Sequence, residues 1–519
     1  MVALLDAELM LLLGSLVDDC LGAGTQLLAH AASLDMGTPR SPVSPRAGAR
    51  WWTGQVTIDQ TAERPTASTD LSLRALTIGI CMTITAIAFE AIAVATAMPV
   101  AARDLNGLTY YAWLFSLFVI GMLFATVVTG RLSDRIGPAK PLVTGLLIFA
   151  AGLVVAGTSQ QMAQLIAGRL IQGLGSGVIN TAIFVCVAQA YSARQRPRMF
   201  TYISTAWVLP SFFGPPVAAW LTGSFSWRWV FIAVLPLVVL GGAIVLPTLL
   251  TMIRSYDLQP ARPTFKPAPL WAAGMVALSA AAIQLAGQRL DWAASVLLTA
   301  GIVGILVGLP RLMPPGFLRL RRGLSAVMMV RGLLPGAYFG AEAFVPLMLV
   351  EQRKIPLVLA GAVLTVGAIG WTVGSWLQSR PWLKIRRDRL ITHGCVSVVA
   401  GVAIVALVAF FPRLWFGLVG VGWMFAGFGM GLSISSSSLA VMTLSEASIQ
   451  GRNASSLNLF DAFGTGLFVG ICGTLFAALR PSGSLSLTFG VLLAAMVVVG
   501  LLAVASSLRI GVVRNEFAR

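Results

Sequence analysis

The chain has 519 residues, of which 57% are hydrophobic and only 11% are charged, and its mean hydropathy is +0.86. Soluble domains carry about 25% charged residues, so this composition excludes an ordinary water-soluble fold. Apolar stretches of roughly 20 residues recur along the chain, which is the length that a helix needs to cross the hydrocarbon layer. The sequence therefore predicts an all-α polytopic membrane protein.

The net charge of +17 comes from basic residues that are scattered between the apolar stretches. This distribution does not indicate a nucleic-acid surface. No GxxxxGK[ST] phosphate loop occurs, so an ATP-driven motor of that type is excluded. The five cysteines are widely spaced and there are two histidines, which predicts neither a disulfide framework nor a metal site. We expect no cofactor and no metal.

Residues 1–70 are polar, contain Pro and Arg, and hold eight of the 19 acidic residues; we interpret them as a disordered cytoplasmic N-terminal tail. Fourteen apolar spans follow. The predicted spans are about 74–98, 110–130, 141–158, 162–190, 200–222, 229–253, 270–288, 291–309, 325–350, 357–378, 390–411, 414–440, 456–479 and 485–508.

The spans group as six, two and six, which is the arrangement of two repeated bundles with an inserted hairpin. The predicted domains are an N-terminal six-helix bundle (71–254), a linker with two extra transmembrane helices (255–324), a C-terminal six-helix bundle (325–508) and a cytoplasmic tail (509–519). With the amino terminus inside, the inner connections and the tail hold 22 basic residues, and the outer connections hold 7. Cytoplasmic loops are enriched in Lys and Arg, so both termini are predicted to be cytoplasmic.

The connection between spans 2 and 3 reads GRLSDRIGPAK over residues 130–140. It resembles the GxLaDrxGrk signature of the major facilitator superfamily, and it departs from that signature at Pro138 and Ala139. The matching residues are Gly130, Leu132, Asp134, Arg135 and Gly137. Glycines allow a tight turn between two helices, and a carboxylate flanked by arginines suits a charge network that can break. The resemblance implies a role in conformational gating.

Spans 4 and 5 carry two helix-packing motifs. Residues 169–177 read RLIQGLGSG and resemble the family's RxxQGxG signature, with small residues at Gly173, Gly175 and Gly177. Residues 210–219 read PSFFGPPVAA and are similar to the gxxxGPxxGG signature of proton-coupled exporters, retaining Gly214 and Pro215. Small residues allow close contact between helices in membranes.

Span 1 contains an acidic residue, Glu90, within the segment EAIAVATAMP (90–99). This segment has the spacing of the DxTxxNxALP motif of fourteen-span drug:proton antiporters, with Glu in place of Asp. The segment WRWVF at 227–231 is also like one in that family. The resemblance implies the major facilitator fold, with two six-helix bundles plus two inserted linker helices, and 14 transmembrane helices in total.

Glu90 and Arg169 are predicted to be neighbours. Glu90 lies nine residues before the outer end of span 1, and Arg169 lies eight residues after the outer start of span 4. At 1.5 Å per residue both side chains are about 12–14 Å below the outer surface. A charge inside a membrane requires a partner and indicates function. We expect a direct or water-linked contact that takes part in proton coupling.

Two other acids lie within spans. Glu342 lies in span 9, the first span of the second bundle, and its distance from the outer end of that span is similar to that of Glu90 in span 1. It is a second proton-coupling candidate. Asp461 of span 13 and Arg331 of span 9 lie at similar depths from the cytoplasmic side, which allows an ion pair. The alternative is that each of these two side chains simply reaches the headgroup region.

The resemblance implies a proton-coupled secondary transporter, not an enzyme, which exports lipophilic cationic small molecules by alternating access. We expect a multi-pass monomer of the cell membrane whose partners are substrate, protons and lipid. Spans 1, 4, 9 and 12 should line the cavity. Apolar candidates for its lining are Phe89, Tyr338, Phe339, Trp423 and Phe428. The alternatives are a same-fold exporter of a lipid, siderophore, peptide or sugar, a receptor or channel, and a multispan enzyme.

Overall fold

A computed structural model describes residues 70–191, 195–258, 269–288, 292–313, 317, 322–380, 382–445 and 450–513. The predicted N-terminal tail, four short pieces of the predicted linker and residues 514–519 lie outside this description. Within the described residues there are fourteen helices of 17 residues or more and no strand. They are α1 Asp70–Asp104, α2 Trp113–Ile136, α3 Ala139–Gly157, α4 Met162–Ala190, α5 Arg196–Ser224, α6 Leu235–Leu258, α7 Leu270–Ala286, α8 Trp292–Leu312, α9 Leu324–Glu351, α10 Leu357–Gln378, α11 Arg387–Phe410, α12 Gly417–Leu444, α13 Gln450–Leu479 and α14 Leu485–Ser507.

The fourteen helices correspond one to one with the predicted spans. In the described chain, twelve are long and apolar enough to cross a membrane. Of the other two, α7 is a shorter apolar helix of 17 residues, close to the minimum for a crossing, and α5 has three prolines inside it. Proline is tolerated in membrane helices because neighbouring groups satisfy the freed backbone. The chain is a multi-pass membrane protein.

Helices α1–α6 and α9–α14 pack in the same pattern, and we call these sets the N bundle and the C bundle. In the N bundle, α1 packs on α5 and α6, α4 packs on α2 and α3, and α3 packs on α6. In the C bundle, α9 packs on α13 and α14, α12 packs on α10 and α11, and α11 packs on α14. The two bundles are therefore structural repeats, as in many secondary transporters.

The bundles meet along two seams that are also related by the repeat. One seam joins α2 to α13, and the other joins α5 to α10. The inserted hairpin breaks this symmetry, because α7 and α8 pack on each other and α7 packs on both α2 and α13. The hairpin therefore covers one seam, and no described helix covers the other in the same way.

The prediction of a loop over residues 130–140 was wrong in its extent. Helix α2 continues to Ile136, and α3 begins at Ala139, so most of the motif forms the last turns of α2. Gly137 ends the helix with φ +78°, and its N–H donates to the carbonyl of Ser133. A positive φ favours glycine because a Cβ is strained there. The turn consists of Gly137 and Pro138.

Candidate functional site

Three glycines of α4 set the packing around the candidate site. A Cβ on Gly173 would overlap the carbonyl of Phe118 on α2, and a Cβ on Gly177 would overlap that of Met122. On the opposite side, a Cβ on Gly175 would meet the backbone of α3 at Phe149. Small residues allow helix backbones to approach this closely. The motif thus holds α4 tightly between α2 and α3 and brings Arg169 against α2.

Glu90 and Arg169 form a buried ion pair. Glu90 is 0% exposed and Arg169 is 2% exposed, and Arg169 Nη1 donates to Glu90 Oε1. Arg169 is further fixed by α2, because its Nε donates to the carbonyl of Leu114 at 2.7 Å and its guanidinium lies 4.4 Å from the centre of the Phe118 ring. The pair therefore joins α1, α2 and α4.

One oxygen of the Glu90 carboxylate remains available. Glu90 Oε2 is buried and has no hydrogen-bond partner among the described residues. Gln172 accepts from Arg169 Nη1 at 2.8 Å through its Oε1, while its Nε2 is also buried without a partner in the described chain. Buried polar atoms without partners are costly. Such atoms beside an ion pair are typical of a place where a proton, water or substrate binds.

The C bundle repeats this packing with different side chains. Helix α12 reads GFGMG over residues 427–431, and a Cβ on Gly427 or Gly431 would overlap a backbone carbonyl of α10, at Gly367 or Trp371. The residue four positions before Gly427 is Trp423, just as Arg169 is four positions before Gly173. Trp423 is therefore the counterpart of Arg169, and the repeated glycine pattern was the sequence signal for it.

Tyr338 of α9 takes the place of Glu90 in this comparison. Its ring stacks on Trp423, with 4.9 Å between centroids, as Glu90 contacts Arg169. The packing thus makes Tyr338, rather than Glu342, the counterpart of Glu90, because one helical turn separates Glu342 from Tyr338. The N bundle has an ion pair where the C bundle has an aromatic stack.

The predicted aromatic candidates fall into two groups. Tyr338, Phe339 and Trp423 form one cluster with Trp371 of α10, whose ring centre is 5.7 Å from that of Tyr338. Trp371 was missed by the sequence analysis. Phe89 is partly buried against the core of α1, and Phe428 lies where α12 and α10 make close backbone contact.

Glu342 lies within α9 and its Oε2 is buried without a partner in the described chain. The structure gives it no cation comparable to Arg169 among the described side chains. It is thus a second carboxylate inside the membrane, in an environment different from that of Glu90.

Arg331 and Asp461 pair within the C bundle. Arg331 Nη2 is 2.6 Å from Asp461 Oδ2, and Arg331 Nη1 donates to the carbonyl of Ile434 at 3.1 Å. Because these residues belong to α9, α13 and α12, the pair joins three helices of one bundle. A buried arginine with a carboxylate and a carbonyl as partners fits a structural ion pair.

The predicted gating motif lies at the inner ends of α2 and α3. Gly130 is helical, and a Cβ there would meet nothing within 4 Å, so Gly130 is not required for close packing. Arg135 is exposed, and the side chain of Asp134 lies outside the described residues. In α5, Gly214 faces α1 at Ile92, and the carbonyl of Pro215 faces Gly361 of α10 across the seam.

An ion pair connects the two bundles at their outer ends. Arg103 Nε, in the last turn of α1, donates to Oε1 of Glu351, the last residue of α9, at 2.5 Å. We call it the outer ion pair. Nearby, the hydroxyl of Tyr111 donates to the carbonyl of Ala343 on α9 at 2.7 Å, and a Cβ on Gly473 of α13 would overlap Ala112. All these contacts between bundles lie in the outer half of the molecule.

Each member of the outer ion pair is held by its own bundle. Next to Arg103, Asp104 Oδ2 accepts from Trp227 Nε1 at 2.9 Å and from Arg228 Nη1 at 3.2 Å. Next to Glu351, Gln352 Nε2 donates to the carbonyl of Ala409 on α11 at 2.7 Å. The outer ion pair thus lies between two hydrogen-bonded rims, one on each bundle, and the WRW segment forms part of the rim of the N bundle.

Comparison with known proteins identifies the family. The sequence model of the Major Facilitator Superfamily matches residues 78–469, which extend from α1 into α13. The chain belongs to the Major Facilitator Superfamily. The chain is 26% identical over 423 residues to "Multidrug resistance protein 3" of Bacillus subtilis, covering 79% of this chain and 80% of that protein. Its fold and relatives are those of transporters.

Two other relatives match over shorter segments, and a solved structure shares the fold. "Multidrug transporter protein MdtP" of Bacillus subtilis is 30% identical over 149 residues, which is 29% of this chain and 28% of that protein. The "Acurin A biosynthesis cluster MFS-type transporter" of Aspergillus aculeatus is 29% identical over 216 residues, 42% of this chain and 35% of that protein. A solved peptide transporter in complex with sulfate superposes with a TM-score of 0.61 at 15% identity, covering 86% and 96% of the two chains.

Proposed function

We propose that this transporter exports lipophilic, cationic small molecules in exchange for protons, by alternating access. The main support is the Glu90–Arg169 pair. An ionisable residue inside a membrane is costly and tends to be functional, and Glu90 has one oxygen, Oε2, free of protein partners among the described residues. A group that binds and releases a proton needs such a free atom.

The charge of the pair explains how proton and substrate exclude each other. With Glu90 ionised, the pair is neutral overall and does not repel a cation that binds near it. When Oε2 takes up a proton, Arg169 keeps its charge without a counter-ion, so the site becomes positive and repels a cation. Because coupling between two ligands is reciprocal, cation binding also favours release of the proton. This is the exchange that an antiporter requires.

The contacts between bundles support an outward-closed state. The outer ion pair, the Tyr111–Ala343 hydrogen bond and the Gly473–Ala112 contact join the outer halves of the two bundles. Opening to the outside must break them. We infer that this conformation is closed on the outer side and that the outer ion pair is one of the contacts exchanged during transport.

The names of the relatives favour drugs as the substrate class. Two Bacillus relatives are named as multidrug proteins. The Aspergillus relative is named for a biosynthesis cluster, which favours a second candidate function, the export of a secondary metabolite made by the cell. Both candidate functions use the same proton site and differ only in the substrate that is exported.

The test is transport by the full chain reconstituted in liposomes with an imposed pH gradient. We expect protons to move down the imposed gradient and to drive a lipophilic cation such as ethidium against its own gradient in the opposite direction. Glu90→Gln should abolish both fluxes, whereas Asp104→Asn, which removes a carboxylate of the outer rim, should retain them. Unchanged proton-coupled flux in Glu90→Gln would overturn the proposal for Glu90. Coupled flux of a neutral metabolite but of no cation would favour the second candidate.

A further inference from the structure

A cavity of about 390 Å³ lies between the first turns of α11 and the chain that follows α14. Both elements are at the predicted cytoplasmic face, far from the Glu90–Arg169 pair. Both basic and apolar side chains line it. The lining includes Arg386, Arg389, His393, Ser507, Leu508 and Val512.

The side of the cavity opposite α11 is formed by the chain after α14, which is fixed by hydrogen bonds. After α14 the chain folds back, so that the N–H of Gly323 donates to the carbonyl of Arg509 at 3.2 Å and the N–H of Arg387 donates to the carbonyl of Val513 at 3.0 Å. Ile510 and Val513 are each 2% exposed. This segment is therefore packed against the inner ends of α9 and α11, and the cavity has two fixed sides.

The charges that line the cavity leave an excess of positive charge. The one acid, Asp388, accepts from Arg386 Nη2 at 2.7 Å and from the N–H of Val513 at 3.1 Å. These bonds with Asp388 raise the pKa of Arg386 above its ordinary value, so this pair is neutral overall. The side chains of Arg389 and His393 have no hydrogen bond or ion pair in the part of the chain that the structure describes. They are a cation and an imidazole available to a ligand.

The apolar side of the cavity is exposed on the protein surface. Leu508 and Val512 are 72% and 65% exposed, beside the basic groups. Trp376, near the end of α10, and Trp382, in the connection to α11, are 40% and 63% exposed. The guanidinium of Arg380 lies 4.0 Å from the centre of the Trp376 ring. Tryptophan and arginine of this kind are enriched at the level of lipid headgroups. Exposed apolar, aromatic and basic side chains at the cytoplasmic end of a helix fit the level at which a headgroup and the start of an acyl chain meet.

We propose that this cavity binds the phosphate headgroup of an anionic phospholipid from the cytoplasmic leaflet. Arg389 and His393 would bind the phosphate, and Leu508 and Val512 would contact the upper part of an acyl chain. Basic pockets at the cytoplasmic ends of membrane helices bind anionic lipids in this way. The bound lipid would bridge α11 to the chain after α14 and so stabilise the C bundle.

The experiment measures lipid binding to the full chain, purified in a mild detergent, by native mass spectrometry and by thermal unfolding. The probes are phosphatidylglycerol, phosphatidylcholine and inorganic phosphate. We expect phosphatidylglycerol to be retained in preference to phosphatidylcholine and to raise the unfolding temperature. Arg389→Gln should weaken this binding about fivefold, the typical effect of one basic residue near an anionic lipid surface.

Lys384→Gln is the matched control, because Lys384 is exposed in the connection between α10 and α11 and does not line the cavity. It should bind phosphatidylglycerol as the wild type does. Equal binding by the wild type and an Arg389→Gln/His393→Gln double variant would overturn the proposal. Equal stabilisation by inorganic phosphate and by phosphatidylglycerol would overturn the assignment to a lipid, since the apolar side of the cavity would then contribute nothing.

Discussion

The Glu90–Arg169 pair predicts a large coupling energy between two substitutions. Removing one partner of a buried ion pair leaves an uncompensated charge, at a cost of about 3–5 kcal/mol in the free energy of unfolding. For Glu90→Gln we expect the lower end, about 3 kcal/mol, because Arg169 keeps the carbonyl of Leu114 and Gln172 as acceptors. Arg169→Gln should cost at least as much, since Glu90 has no other hydrogen-bond partner among the described residues.

The double variant Glu90→Gln/Arg169→Gln carries no buried charge, so its stability should recover most of the loss. We expect a coupling energy of at least about 2 kcal/mol, measured by unfolding the four proteins in SDS-containing micelles. Transport should remain absent in all three variants, because the proton-binding carboxylate or its partner is missing. Additive effects on stability would contradict the pair as a stabilising contact. Proton-coupled transport by the double variant would contradict its role in coupling.

The outer ion pair is partly exposed and is thus worth at most about 1 kcal/mol, so Arg103→Gln should shift the population toward an outward-open state by about fivefold or less. Arg103→Glu should shift it further, because two carboxylates then repel each other, and Arg103→Glu/Glu351→Arg should restore the wild-type population. Spin-label distances between the outer ends of α1 and α9 test this. Gly173→Ala forces a Cβ against a backbone carbonyl of α2 and should cost about 1–3 kcal/mol, whereas Gly223→Ala, which meets nothing within 4 Å, should be neutral in thermal unfolding. Asp134→Asn should slow turnover while equilibrium substrate binding stays near wild type, and wild-type turnover would count against gating.

The positions of the helices could be predicted from hydropathy and charge because a membrane crossing requires a long, uncharged segment. The ends of α4 and α10 coincide with the predicted spans. The inner end of α2 did not, because the charged residues from Arg131 to Arg135 looked like a loop. Charged side chains at the end of a membrane helix reach the headgroup region, so the helix can continue into the motif and leave the turn to Gly137.

The contact between Glu90 and Arg169 could be predicted because both depths follow from the rise of a helix. Which residues of the C bundle correspond to this pair could not be predicted from charge. Glu342 resembled Glu90 in residue type, but the correspondence is set by backbone packing, through the glycines of α12 at Gly427 and Gly431. A comparison of glycine spacing between spans 4 and 12 would have led to Trp423.

The difference between the two bundles bears on how protonation is converted into movement. An aromatic stack such as Tyr338–Trp423 carries no charge, so it holds α9 against α12 whether or not a proton is bound. The Glu90–Arg169 pair, in contrast, changes from an ion pair to a single charge when Oε2 is protonated. Of these two matching contacts, only the one between α1 and α4 then changes its charge with the proton. In the proposed mechanism, a response confined to one of the two bundles would change the energy of that bundle relative to the other, and this difference would drive rocking about the seams.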